Sequence, residues 1–132
     1  MAEEANVSAR ALTDYFEALA SLDPGRIAGA FAEDGEIEDP VGSPVQRGRD
    51  AIAEYFAGGM CAGASAVEIE IVSALPSGDA IAAHWRMTAY SKHGHTVEAE
   101  GIDVLVVDAG GLIRRAEGYW DRAAFRAALS GS

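Results

Sequence analysis

The sequence predicts an α+β fold in which three N-terminal helices cover one face of a curved antiparallel sheet, with a cone-shaped apolar pocket between the layers. Two changes along the chain predict it. Apolar residues up to about position 57 recur at helical spacing, whereas from Val67 onward they alternate with polar ones and turn formers separate long runs. Helices followed by a strand meander form an α+β layout. Length and composition agree: 132 residues, 49% hydrophobic and 23% charged, suffice for one packed core, so a single domain over 1–132 is expected, ordered from about 8 to 127.

The elements follow in order. Residues 8–21 read as a helix with Leu12, Tyr15, Phe16 and Leu19 on one stripe. Asp23-Pro24 reads as an N-cap with proline at the first helical position. The short second helix carries Ile27, Ala30 and Phe31, and Glu33-Asp34-Gly35 ends it. A short strand runs to Asp39, and Pro40 to Gly48 form a turn rich in Gly, Ser and Pro. Arg49 to Ala57 is the third helix, stopped by Gly58-Gly59.

Val67, Ile69 and Ile71 alternate with Glu68 and Glu70, so one face of that strand is wet. Long strands follow over Ala80 to Tyr90, Thr96 to Asp108 and Leu112 to Trp120, and an amphipathic helix runs through Ala127. Residues 1–6 and 129–132 read as frayed ends.

A net charge of −11 repels phosphate backbones and anionic lipid, which argues against nucleic acid and membrane partners. No apolar run is long enough to span a bilayer, and the acidic N-terminus lacks the apolar core of a secretory signal. The single cysteine, Cys61, forms no intrachain disulfide, which suits a cytoplasmic location. His84, His93 and His95 lack a ligand pattern, so no metal is expected.

Two acids stand out. Asp39 precedes Pro40, which pushes it toward an extended conformation at a stiff strand end; it reads either as a turn cap or as an aimed carboxylate. Asp103 lies in Gly101-Ile102-Asp103-Val104-Leu105-Val106-Val107, where both strand faces are apolar. It is either a buried acid of raised pKa or the partner of an arginine, Arg114 and Arg115 being nearest in sequence. Tyr15 lies on the apolar stripe of the first helix and reads as a core tyrosine unless its hydroxyl has a task. Phe31, Phe56, Trp85, Tyr119 and Trp120 read as core or pocket wall, and Glu36 and Glu38 as solvated.

These residues together resemble the bacterial ketosteroid isomerases (steroid Δ5-Δ4-isomerases) of the nuclear transport factor 2-like, or SnoaL-like, superfamily. The resemblance rests on Phe31 to Ser43, with its Glu38-Asp39-Pro40-Val41-Gly42-Ser43 run, on Arg47-Gly48-Arg49-Asp50-Ala51-Ile52, and on the spacing of Tyr15, Asp39, Asp103 and Trp120; it spans about residues 9–125. It implies that Asp39 is the general base, that Tyr15 and protonated Asp103 hold a dienolate oxygen, and that Phe31, Phe56 and Trp120 line the substrate site. A 3-oxo-Δ5 steroid would lose a proton from C4 to Asp39 and regain it at C6, without metal or organic cofactor. It further implies a homodimer. Phe31 and Phe56 stand where some members have tyrosines that support the catalytic one, so Tyr15 is expected to lack that support. A polyketide cyclase, an epoxide hydrolase or a non-catalytic binding module of the same fold are the alternatives.

Overall fold

The computed structural model describes residues 2–131. Helix α1 spans Ala2–Ser21, α2 Pro24–Gly29, α3 Arg49–Gly58 and the single turn α4 Met60–Gly63. Strands β1 (Phe31–Glu38), β2 (Gln46–Arg47), β3 (Ala64–Ser77), β4 (Ala80–Ser91), β5 (Thr96–Val107) and β6 (Ile113–Tyr119) precede α5 (Arg122–Ser130). One curved six-stranded sheet has the order β2-β1-β6-β5-β4-β3. The three expected N-terminal helices are present, and the expected α+β architecture holds.

The core forms between the helices and the inner face of the sheet. Leu12, Tyr15, Phe16 and Leu19 of α1 are buried, as are Ile81, Ala83, Trp85, Met87 and Ala89, the inward parity of β4. On β3 that cover runs out: Val67 is buried, Ile69 half-buried and Ile71 exposed.

Four local expectations change. Phe31 opens β1 instead of closing α2, because β1 pairs with β6, parallel, with Phe31 opposite Ile113. Gly35 does not stop a helix; it lies in β1, where an added Cβ would meet Ile113 O at 2.8 Å. Glu36 and Glu38 are not simply solvated: the same pairing brings Arg115 Nη1 to 2.8 Å from Glu36 and Nη2 to 2.9 Å from Glu38. The chain ends are also better ordered than expected. α1 begins at Ala2, with Glu3 and Glu4 complementing its N-terminal dipole. α5 continues to Ser130; the Ser91 hydroxyl donates to Leu129 O at 2.8 Å, and left-handed Gly131 caps the helix. Met1 and Ser132 lie outside the described residues.

Candidate active site

Helices α1, α3 and α5 and the sheet enclose a cavity of about 270 Å³, close to the lower end of the range for ligand pockets. Phe16, Leu19, Phe56, Met87 and Phe125 give it apolar walls, and Tyr15, Asp39 and Asp103 all reach it. Among the candidates named from sequence, Phe56 and Trp120 also line it. Phe31 does not. It is fully buried behind Tyr15, ring centroids 5.5 Å apart in an edge-to-face contact, because its place at the start of β1 puts it beneath α1.

Asp39 follows the last residue of β1, and its peptide bond to Pro40 is cis. Val41 N–H donates to Gly118 O at 2.7 Å, which fastens the turn to β6. Trp120 Nε1–H donates to Asp39 Oδ1 at 2.6 Å. The Tyr55 hydroxyl donates to the Asp39 carbonyl at 2.5 Å and lies 3.3 Å from Oδ2. Burial raises the Asp39 pKa above the ordinary carboxylate range, while the Trp120 and Tyr55 hydrogen bonds and the Arg122 charge oppose the rise.

Asp103 is more secluded, at 8% exposure on β5. Among the described residues its one side-chain donor is Trp85 Nε1–H, 3.1 Å from Oδ1. The alternative partners are engaged elsewhere, Arg114 with Asp79 and Arg115 with Glu36, Glu38 and Glu117. Burial, then the nearby charge of Asp39, push the Asp103 pKa up to about 8, against the Trp85 hydrogen bond. At neutral pH this acid therefore keeps its proton. With Trp85 holding Oδ1, the other oxygen is the one left to donate.

The two acids belong to strands separated by β6. Asp103 pairs with Gly118, and Glu38 with Glu117, so both carboxyls lean over Gly118. A Cβ on Gly118 would overlap Asp39 Oδ1 and come within 3.3 Å of Asp103 Oδ1. Only glycine leaves both carboxyls this room.

Tyr15 is 2% exposed and lines the cavity, and among the described residues its hydroxyl has no hydrogen-bond partner. Burial raises its pKa well above the usual tyrosine value, and the Asp103 charge adds to that ahead of Asp39. It is a neutral donor open to the cavity, without the tyrosine support already expected to be missing.

Sequence reasoning missed Tyr55, Arg122 and Gly118 as parts of the site; it placed Trp85 in the core or pocket wall, which the cavity lining bears out, but not its bond to Asp103. Tyr55 and Phe56 both line the cavity although they are neighbours on α3. Trp85 shows a partial signal, an indole on the inward parity of a strand beside an acid-bearing one. Trp85 and Trp120 lie edge-to-face, centroids 5.5 Å apart, so the donors to the two acids support each other. Arg122 lies 5.0 Å over the Tyr55 ring.

Residues 12–116 match the SnoaL-like domain model, and the chain belongs to that family. Among its relatives, a steroid Δ-isomerase of Nocardioides simplex is 36% identical over 110 residues, covering 83% of this chain and 86% of that protein. The epoxide hydrolase/cyclase-like enzyme SalBIII, of pyran ring formation in the polyether salinomycin, superposes with a TM-score of 0.75 at 26% identity, covering 88% of this chain and 92% of its own. A computationally designed 17-OHP binder gives the same TM-score, 0.75, at 22% identity over 87% of this chain and 93% of its own, a likeness of fold alone. The resemblance read from the sequence is borne out at the level of the family.

Proposed function

We propose that the protein is a steroid Δ-isomerase that converts 3-oxo-Δ5 to 3-oxo-Δ4 steroids by moving one proton from C4 to C6. The observation that carries this reading is the pair of carboxyls over Gly118, facing one apolar cavity, with three groups opposing the rise of the Asp39 pKa and one opposing that of Asp103. The similarity to a steroid Δ-isomerase supports it.

The steroid enters with its carbonyl toward Tyr15 and Asp103. Ionised Asp39 takes a proton from C4, and the electron pair moves through the ring to the carbonyl oxygen. The Tyr15 hydroxyl and the Asp103 proton donate to the resulting dienolate, each donor lowering the barrier by about 3 kcal/mol. Asp39, now protonated, delivers the proton to C6, the double bond moves into conjugation, and the base is regenerated. Apolar walls keep water from the dienolate.

Asp39→Asn tests the reading, because it keeps shape and removes basicity. Conversion of 5-androstene-3,17-dione, followed at the absorbance of the conjugated enone, is expected to fall at least 10³-fold, near the upper end of general-base effects, with affinity for the product nearly unchanged. Wild-type turnover by Asp39→Asn sinks the assignment and leaves a non-catalytic binding module.

The similarity to SalBIII favours a second reading, epoxide opening in which protonated Asp103 donates to the epoxide oxygen and Asp39 activates the attacking hydroxyl. That chemistry has no place for the unpartnered Tyr15 hydroxyl, so it ranks second. We also read the chain as one domain and as a homodimer. Leu75, Ile102 and Tyr119, 77%, 45% and 46% exposed, are large apolar residues left uncovered on the sheet, and a second copy is the occupant expected by resemblance. Sedimentation at a monomer mass across micromolar concentrations refutes the dimer.

A further inference from the structure

Helix α5 carries an anomaly on its inward face. Positions 122, 125, 126 and 129 share one helical stripe, and all four line the cavity. Phe125 and Leu129 are buried, as such a stripe requires, but the other two are arginines. Arg122 is half-buried over Tyr55, while Arg126, one turn farther on, lines the same cavity and is exposed to solvent. Among the described residues neither arginine makes an ion pair; Arg10, Arg26 and Arg49 make none either, but of these five only Arg122 and Arg126 line the cavity. Arg122 has a task in lowering the Asp39 pKa; Arg126 is not among the groups acting on Asp39. A guanidinium without a carboxylate, at the open end of an apolar cavity, is a fork shaped for an oxyanion.

We propose that the substrate carries an oxyanion, a carboxylate or sulfate, at the end remote from its carbonyl, and that Arg126 binds it at the cavity mouth with Arg122 behind it. The orientation rests on the isomerase reading: with the carbonyl at Tyr15 and Asp103, ring D and its substituent point to the opening. The net charge of −11 repels such a substrate from the protein as a whole, and the two arginines lining the cavity offset that repulsion where the substrate binds.

The test compares kcat/KM for neutral 5-androstene-3,17-dione with that for a 3-oxo-Δ5 steroid bearing a carboxylate side chain on ring D. The wild type is expected to favour the carboxylate about tenfold. Arg126→Gln should reduce that ratio about tenfold, and Arg126→Lys should restore part of it. Raising salt from about 50 to about 500 mM should shrink the wild-type ratio. A wild-type ratio at or below one, or an unchanged ratio in Arg126→Gln, overturns the proposal. If neither steroid is isomerised, the isomerase reading has failed on its own. Affinity for the carboxylated Δ4 product, read by Trp fluorescence, then decides the anion site separately. A tenfold loss in Arg126→Gln supports the site, and equal affinity overturns it. A sulfated analogue measured alongside tells which oxyanion binds better.

Discussion

Gly118→Ala is a one-methyl change that should switch off the chemistry with little effect on the fold. The added Cβ would overlap Asp39 Oδ1 outright and sit 3.0 Å from Asp39 Cγ and 3.3 Å from Asp103 Oδ1. Real Cβ atoms do not approach heavy atoms more closely than about 3.0 Å, so the Asp39 carboxylate must retreat by about 1 Å. The retreat breaks its 2.6 Å hydrogen bond to Trp120 and moves the base off its line to C4. A misplacement of about 1 Å costs about 10²-fold in rate, or about 2.7 kcal/mol in barrier. The carboxylate can swing toward open cavity, so stability should fall by no more than about 1 to 2 kcal/mol. Gly101→Ala is the contrast: its Cβ meets Tyr119 O at 2.7 Å and Trp85 Cζ2 at 2.6 Å, one of them unyielding backbone, so it should cost stability first. The assay is enone absorbance on 5-androstene-3,17-dione, with thermal melts of both variants. A Gly118→Ala enzyme within twofold of wild-type kcat/KM refutes the placement of Asp39 as base.

The pH profile of kcat/KM should rise as Asp39 ionises, above the ordinary carboxylate range, and fall near pH 8 as Asp103 loses its proton. The Trp85 hydrogen bond lowers the Asp103 pKa, so Trp85→Phe should move the alkaline limb to higher pH; an unmoved limb assigns it to another group. Tyr55→Phe removes a hydrogen bond that lowers the Asp39 pKa, so the acidic limb should move to higher pH, with kcat down about tenfold as the base loses its anchor. An acidic limb identical to wild type removes Tyr55 from the base's support.

The three proposed reacting groups were legible in the sequence because each breaks a local rule. Asp39 stands before a proline at a strand end, Asp103 interrupts an apolar strand, and Tyr15 puts a hydroxyl on a core stripe. What stayed illegible depends on pairing between distant segments. Phe31 is strand and not helix because it meets Ile113 across a parallel pair, and a local period carries no trace of that contact. Gly118 reads as a weak point in a strand until Asp39 is placed beside it. Tyr55 is set about 100° from Phe56 by helical projection, so a flat wall would meet only one of them, yet the cavity extends around the end of α3 and meets both.

The division of labour between the acids follows from their donors more than from their depth. Burial is the largest influence on both, and it acts in the same direction. Asp39 is then drawn back toward ionisation by an indole, a phenol and a guanidinium, whereas Asp103 has one indole and the repulsion of ionised Asp39. That repulsion makes the proposed arrangement self-consistent: ionised Asp39 raises the proton affinity of Asp103, so the proposed base is poised in the same state in which the proposed donor is loaded. In the proposed reaction, transfer of the C4 proton to Asp39 removes that repulsion just as negative charge arrives at the carbonyl oxygen, and the dienolate takes over as the anion that keeps the Asp103 proton in place. On that proposal one negative charge resides in the cavity before, during and after the transfer, and the apolar walls never have to accommodate two.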